Sequence, residues 1–110
     1  MATILFISLI QLIQDPSAYH DQHVRVVGFA TMRFEAKALY ISRDQREHAV
    51  TKNAVWLDVD LTDQMKSLNG KYVIVEGVFN KNSLGHLNLY SGTITKVNRI
   101  ELWSEGKSQD

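Results

Sequence analysis
The chain has no cysteine, one proline and no surplus of either charge: twelve lysines and arginines stand against twelve aspartates and glutamates. Without cysteine there are no disulfides, no thiolate catalysis and no cysteine-based zinc sites, and the chain suits a reducing cytoplasm. Charge balance argues against a dedicated phosphate-backbone binder, whose affinity comes largely from basic side chains displacing counterions. Long hydrophobic runs are also missing. The longest, Ile4 to Ile13, is interrupted by Ser8 and Gln11 and is far too short to span a bilayer. It lacks a positive n-region and a small-residue cleavage site, so it reads as structure and not as a signal segment. The expected compartment is the cytoplasm; a chain already trimmed of a leader would read the same way, which leaves the periplasm open.

What is present describes an ordinary globule. The 110 residues include 45% hydrophobic and 22% charged side chains, which makes one domain with one modest core the default. That domain is expected over 1–103, with the polar residues 104–110 as a flexible tail. Glycine is sparse at six, yet two glycines recur in one setting, Val24-Arg25-Val26-Val27-Gly28-Phe29 and Val73-Ile74-Val75-Glu76-Gly77-Val78-Phe79. Each is a β-branched run broken by a glycine. A glycine inside a strand marks a bulge or sharp coil, so the pair predicts a strongly curved, nearly closed sheet.

Ser8 and Gln11 form a capping-box pattern ahead of an apolar stripe, Leu9, Ile10, Leu12 and Ile13, which predicts a helix over 8–14. Asp15-Pro16 stops it, because the residue before proline is pushed out of the helical region. A turn over 16–22 leads into a long strand over 23–34 bent at Gly28, a turn at 35–37 and a strand over 38–42. Residues 43–53 read as a polar loop with at most one helical turn. Residues 54–60 alternate, with Val55, Leu57 and Val59 inward and Ala54, Trp56, Asp58 and Asp60 outward. Leu61, Met65 and Leu68 carry a second helix, stopped at Asn69-Gly70. Strands over 71–80 and 86–100 follow, the last bent near Gly92.

Five strands with a helix between the third and fourth is the connectivity of the OB-fold, a five-stranded Greek-key barrel. The run from Ile13 to Gly28, I-x-D-P-x-x-Y-x-x-x-x-V-x-V-x-G, resembles the opening of small bacterial OB-like domains. Ala38-Leu39-Tyr40-Ile41-Ser42, Thr51-Lys52-Asn53-Ala54-Val55-Trp56-Leu57-Asp58-Val59 and Gly70-Lys71-Tyr72-Val73-Ile74-Val75-Glu76-Gly77 are similar to a group of small, functionally uncharacterised bacterial proteins of the same kind. The likeness spans most of 8–103. It implies a fold and brings no catalytic residue with it.

The expected binding residues follow from alternation. With Leu39 and Ile41 inward, Tyr40 and Trp56 share the outward face of the second and third strands, and Lys37, Arg43, Arg46 and Lys52 lie in or beside the flanking loops. Exposed aromatics among cations would stack bases and meet phosphates, while aromatics with arginine are also the material of protein interfaces. Alternatively, Trp56 is a structural ring covered by the N-terminal helix or by the polar loop.

The four histidines, His20, His23, His48 and His86, show no metal-ligand spacing with a carboxylate and read as surface residues. Asp58 and Asp60 could hold a divalent cation through oxygens, but a solvated face with Asp60 or Thr62 capping the next helix is the plainer reading. There is no phosphate loop, nucleophile elbow or paired acid and base. The expectation is therefore no enzyme, no cofactor and no metal. It is a module recognising a protein partner, of accessory or immunity type, through the strand-two/strand-three face and loop 43–53. Single-stranded nucleic acid or an oligosaccharide on the same face is the alternative.

Overall fold
A computed structural model describes residues 3–103; the tail expected at 104–110 lies outside them. The chain is mainly β, with six strands in one sheet and a few short helices. In order they are β1 (Leu5–Phe6), α1 (Leu9–Gln14), α2 (Pro16–Tyr19), β2 (His23–Arg33), β3 (Ala36–Tyr40) and α3 (Arg43–Glu47). After these come β4 (Ala54–Leu57), α4 (Asp63–Lys66), β5 (Tyr72–Asn80) and β6 (Thr93–Leu102). The sheet runs β1-β2-β3-β4-β6-β5, and β5 pairs with β2 as well, so it closes in a ring.

The two look-alike stretches are each other's partners. Val24 faces Gly77, Arg25 faces Glu76 and Gly28 faces Val73 along the antiparallel β2–β5 ladder. Neither glycine has room for a side chain. A Cβ on Gly28 would sit 2.6 Å from Leu39 Cγ and 2.8 Å from the Tyr40 carbonyl oxygen; one on Gly77 would sit 2.6 Å from the Thr95 carbonyl oxygen. At Gly77 the β5–β6 register shifts. Three residues of β6, Lys96 to Asn98, bulge opposite this single glycine, with Lys96 in the left-handed region at φ 49°. The curvature expected from the glycines is present.

The helix ends follow local chemistry. The Ser8 hydroxyl accepts from Gln11 N–H at 3.0 Å, and the Gln11 side chain accepts from Ser8 N–H at 2.9 Å, closing the capping box of α1. Thr62, and not Asp60, caps α4, accepting from Met65 N–H. Leu9 and Leu12 point from α1 into the core, where they meet Val24, Val26, Leu39, Val55, Leu57, Val73, Val75, Phe79 and Ile94. Burying each such aliphatic side chain contributes about 1.5–3 kcal/mol, which fixes the short α1 against the ring although its propensity alone could not.

Several expectations are corrected. Leu5–Phe6 forms a short parallel strand on β2, so the strands among the described residues number six. Pro16–Tyr19 is a helical turn, with proline at its first position. α4 is shorter than expected; Leu68 is buried, while Leu61 and Met65 are half-buried against the core. The last strand starts at Thr93 and not at His86. Gly85 (φ 70°), Leu87 (φ 57°) and Asn88 (φ 57°) are left-handed, and Gly92 lies at φ 156°, so the backbone over 85–92 cannot run as a strand.

Candidate functional site
The outer surface of the ring carries a second, aromatic cluster of Phe29, Ala38, Tyr40, Ala54 and Tyr90, with Trp56 packed against it. Strand alternation had placed Tyr40 and Trp56 on this face, and they are there. Neither presents an open ring. Tyr40 is 6% exposed and lies edge-on to Tyr90. Trp56 is half-buried beneath the segment over 84–90, stacked on His86 with centroids 6.2 Å apart and tilted against Tyr90 at 5.4 Å. The cover is that segment, neither the N-terminal helix nor loop 43–53. Burial first, and then the neighbouring Tyr40 hydroxyl, push the Tyr90 phenol above its ordinary range.

The expected cations divide into separate groups. Lys37 Nζ lies 5.9 Å from the centre of the Trp56 ring and donates to the Val59 carbonyl at 2.9 Å. Arg43 and Arg46, brought in by α3, stand 5.4 and 5.7 Å over the Phe29 ring, and Arg46 donates to Thr31 Oγ1 at 2.8 Å. Lys52 is exposed on a single 3-10 turn, its carbonyl accepting from the Ser91 hydroxyl.

The histidines stay apart. His23 bonds Asn98 at 3.0 Å, and His20 Nδ1 accepts from Lys81 N–H at 3.2 Å. His48 bonds the Asp44 carbonyl at 2.9 Å; that contact first, and the Asp44 carboxylate next, raise its pKa. No group of three or more histidines and carboxylates comes together among the described residues, Asp58 and Asp60 included.

Two features were not foreseen. The first is an ion network on the outer face. Arg25 and Arg99 both donate to Glu76 Oε2 at 2.8 Å, and Arg99 also reaches Glu101 at 2.8 Å. Glu76 is 4% exposed. The Arg99 hydrogen bond, helped by Arg25 and opposed by burial, holds its carboxyl below the usual carboxylate range. The sequence shows only that each of the two similar runs carries one charge, Arg25 in the first and Glu76 in the second.

The second is an apolar groove of about 510 Å³, lined by Phe6, Ile7, Ser8, Leu9, Ile10, Val27 and Ile41. It exists because β1 and β3 share one edge of β2 and leave a gap between them. β1 ends with Phe6 opposite Arg25, and β3 ends with Tyr40 opposite Phe29, so no strand faces Val27 on that edge. Phe6 and Ile10 rim the groove at 58% and 48% exposure. No stretch of sequence could show this, because the gap is made by three segments meeting.

No protein-family model, curated protein or solved structure matches the chain. No helix among the described residues is long and apolar enough to cross a membrane.

Proposed function
We propose that this chain is a non-enzymatic binding module built on an OB-type barrel, and that it recognises a protein partner at the groove between β1, α1 and the exit of β3. The ring order β2-β3-β4-β6-β5, with α4 between β4 and β5, supports the OB-type reading.

The observation that carries the function is the exposed apolar rim, Phe6 and Ile10, around a strand edge left open at Val27. Large apolar side chains gathered at one concave place mark an interaction surface. A free strand edge on its floor adds a donor and an acceptor that an extended partner segment can use. Loop 43–53 begins at the same place, since Ile41 lines the groove and α3 follows directly. Because Tyr40 and Trp56 are packed against neighbouring rings, this reading takes the adjoining edge, and not the strand-two/strand-three surface, as the binding face. Arg25, Glu76, Arg99 and Glu101 pair with one another along the sheet, an arrangement that suits a structural role beside a binding surface.

A photo-crosslinking residue at position 10 identifies the partner in the native cell, and titration with the purified partner then measures the contact. Ile10→Glu should weaken binding about tenfold or more, with the melting temperature unchanged, as expected for an exposed anchor of an interface core. Raising salt should change the affinity little, unlike a phosphate-backbone contact. Binding insensitive to Ile10→Glu and Phe6→Glu but abolished by Lys52→Ala would place the interface elsewhere.

A further inference from the structure
On the outer face, the cations of one half are neutralised and those of the other are not. Arg25 and Arg99 pair with Glu76 and Glu101. Among the described residues, Arg33, Arg43, Arg46 and Lys71 form no ion pair, although the chain as a whole is neutral. Two of them, Arg43 and Arg46, stand within 6 Å of the centre of one ring, Phe29.

Beside Arg43 lies a cleft of about 340 Å³, lined by Phe29, Arg43, Gly70, Lys71, Tyr72, Leu102 and Trp103, with no acidic side chain in its wall among the described residues. Its aromatic walls are braced from behind. Tyr72 meets Phe29 edge-on with centroids 5.0 Å apart, and Trp103 meets Phe6 edge-on at 6.5 Å. Backbone bonds hold the frame: Trp103 N–H donates to the Tyr72 carbonyl at 3.0 Å, and Ala30 N–H donates to the Lys71 carbonyl at 2.9 Å. Tyr72 nevertheless stays 41% exposed, and nothing would lie within 4 Å of a Cβ on Gly70, so the mouth is open. The nearest acids on α3 are Asp44, turned to His48, and Glu47, which lines a separate cleft with Arg33 and Arg46.

We propose that this cleft binds a small phosphorylated aromatic ligand of nucleoside-monophosphate size, its ring against Tyr72 and Trp103 and its phosphate on Arg43 and Lys71. The volume suits one such ligand, at the small end of ordinary pockets. The chemistry needs both halves. Aromatic walls alone would take any flat apolar molecule, and the cations alone would take any anion. A guanidinium and an ammonium that form no ion pair among the described residues are suited to charge-assisted bonds to phosphate oxygens, the guanidinium as a planar fork. Ile10 takes no part in this site, although Phe6 on the groove's rim also touches Trp103 from behind.

The test titrates adenosine monophosphate into the full chain while the aromatic NMR signals of Tyr72 and Trp103 are followed. Adenosine and inorganic phosphate serve as half-ligand probes. The expected result is saturable shifts at both rings, with each half-ligand weaker by about tenfold or more. Arg43→Ala and Lys71→Ala, both at exposed positions, should each weaken binding about tenfold with the fold intact, as for loss of one charge-assisted contact. Ile10→Glu should change nothing here, which separates this site from the protein-binding groove. Absence of saturable shifts with millimolar nucleotide overturns the proposal, as does phosphate alone binding as tightly as the nucleotide. A short oligothymidylate that binds where the mononucleotide does not also overturns it, because recognition then runs along the face and not into the cleft.

Discussion

Replacing Gly77 with alanine adds one methyl group where β6 bulges across from β5. The new Cβ would lie 2.6 Å from the Thr95 carbonyl oxygen and 2.7 Å from Ile94 Cγ2, so a gap of roughly 0.8 Å has to open to reach the 3.4 Å of ordinary contact. Little there can give. Gly77 is paired to Val24 on its β2 side, and Thr95 is paired to Val78 and bonds its carbonyl through Oγ1 at 3.1 Å. Ile94 is fully buried. Overpacking of this kind costs about 1–3 kcal/mol, against which alanine recovers about 0.4–1 kcal/mol by restricting the unfolded chain. The expected net loss is about 1–2 kcal/mol, with Gly77→Val losing more because its two γ carbons meet the β6 bulge. A urea titration followed by tryptophan fluorescence measures it as a lower midpoint at unchanged slope. Gly70→Asn is the control: its φ of 75° is tolerated by asparagine and nothing crowds it, so its loss should be smaller. A Gly77→Ala midpoint equal to or above wild type would refute the close-approach reasoning.

Two further outcomes follow from the outer face. Because Glu76 has a lowered pKa when folded, the unfolded chain binds its proton first as acid is added. Its contribution to stability is therefore complete above the ordinary value of 4.5 and is lost as pH falls through the folded pKa; Glu76→Gln should flatten the acid limb of a stability profile and cost about 2–3 kcal/mol at neutral pH, and an unchanged limb would deny Glu76 this role. Trp56→Ala removes the ring on which His86 and Tyr90 rest and should cost about 2–3 kcal/mol, less than a fully buried tryptophan; an unaltered melting temperature would show that the 84–90 segment holds its place without the indole.

The sequence by itself determined whatever depends on near neighbours in the chain. Ser8 and Gln11 close a capping box because N-cap and N3 are always three residues apart. Asp15-Pro16 ends α1 by local sterics, and the alternation over 54–57 assigns Val55 and Leu57 to the core and Trp56 to the outside. Gly28 and Gly77 announced the curvature, since a strand gives up a side chain only where something comes too close for one.

Tertiary structure decided the rest. That the two glycine-bearing runs pair with each other, so that Arg25 meets Glu76, depends on a closure between segments 51 residues apart, which no local pattern encodes. Alternation reported which way Tyr40 and Trp56 point, but exposure depends on what lies above them, and that was a segment first read as strand. Its left-handed residues Leu87 and Asn88 have no local signature as clear as that of a glycine, and the contacts that set the segment over the indole come from their neighbours His86 and Tyr90. The groove at Val27 and the cleft at Tyr72 are spaces left where separate segments stop short of one another; a sequence records the segments, and only the folded chain creates the space between them.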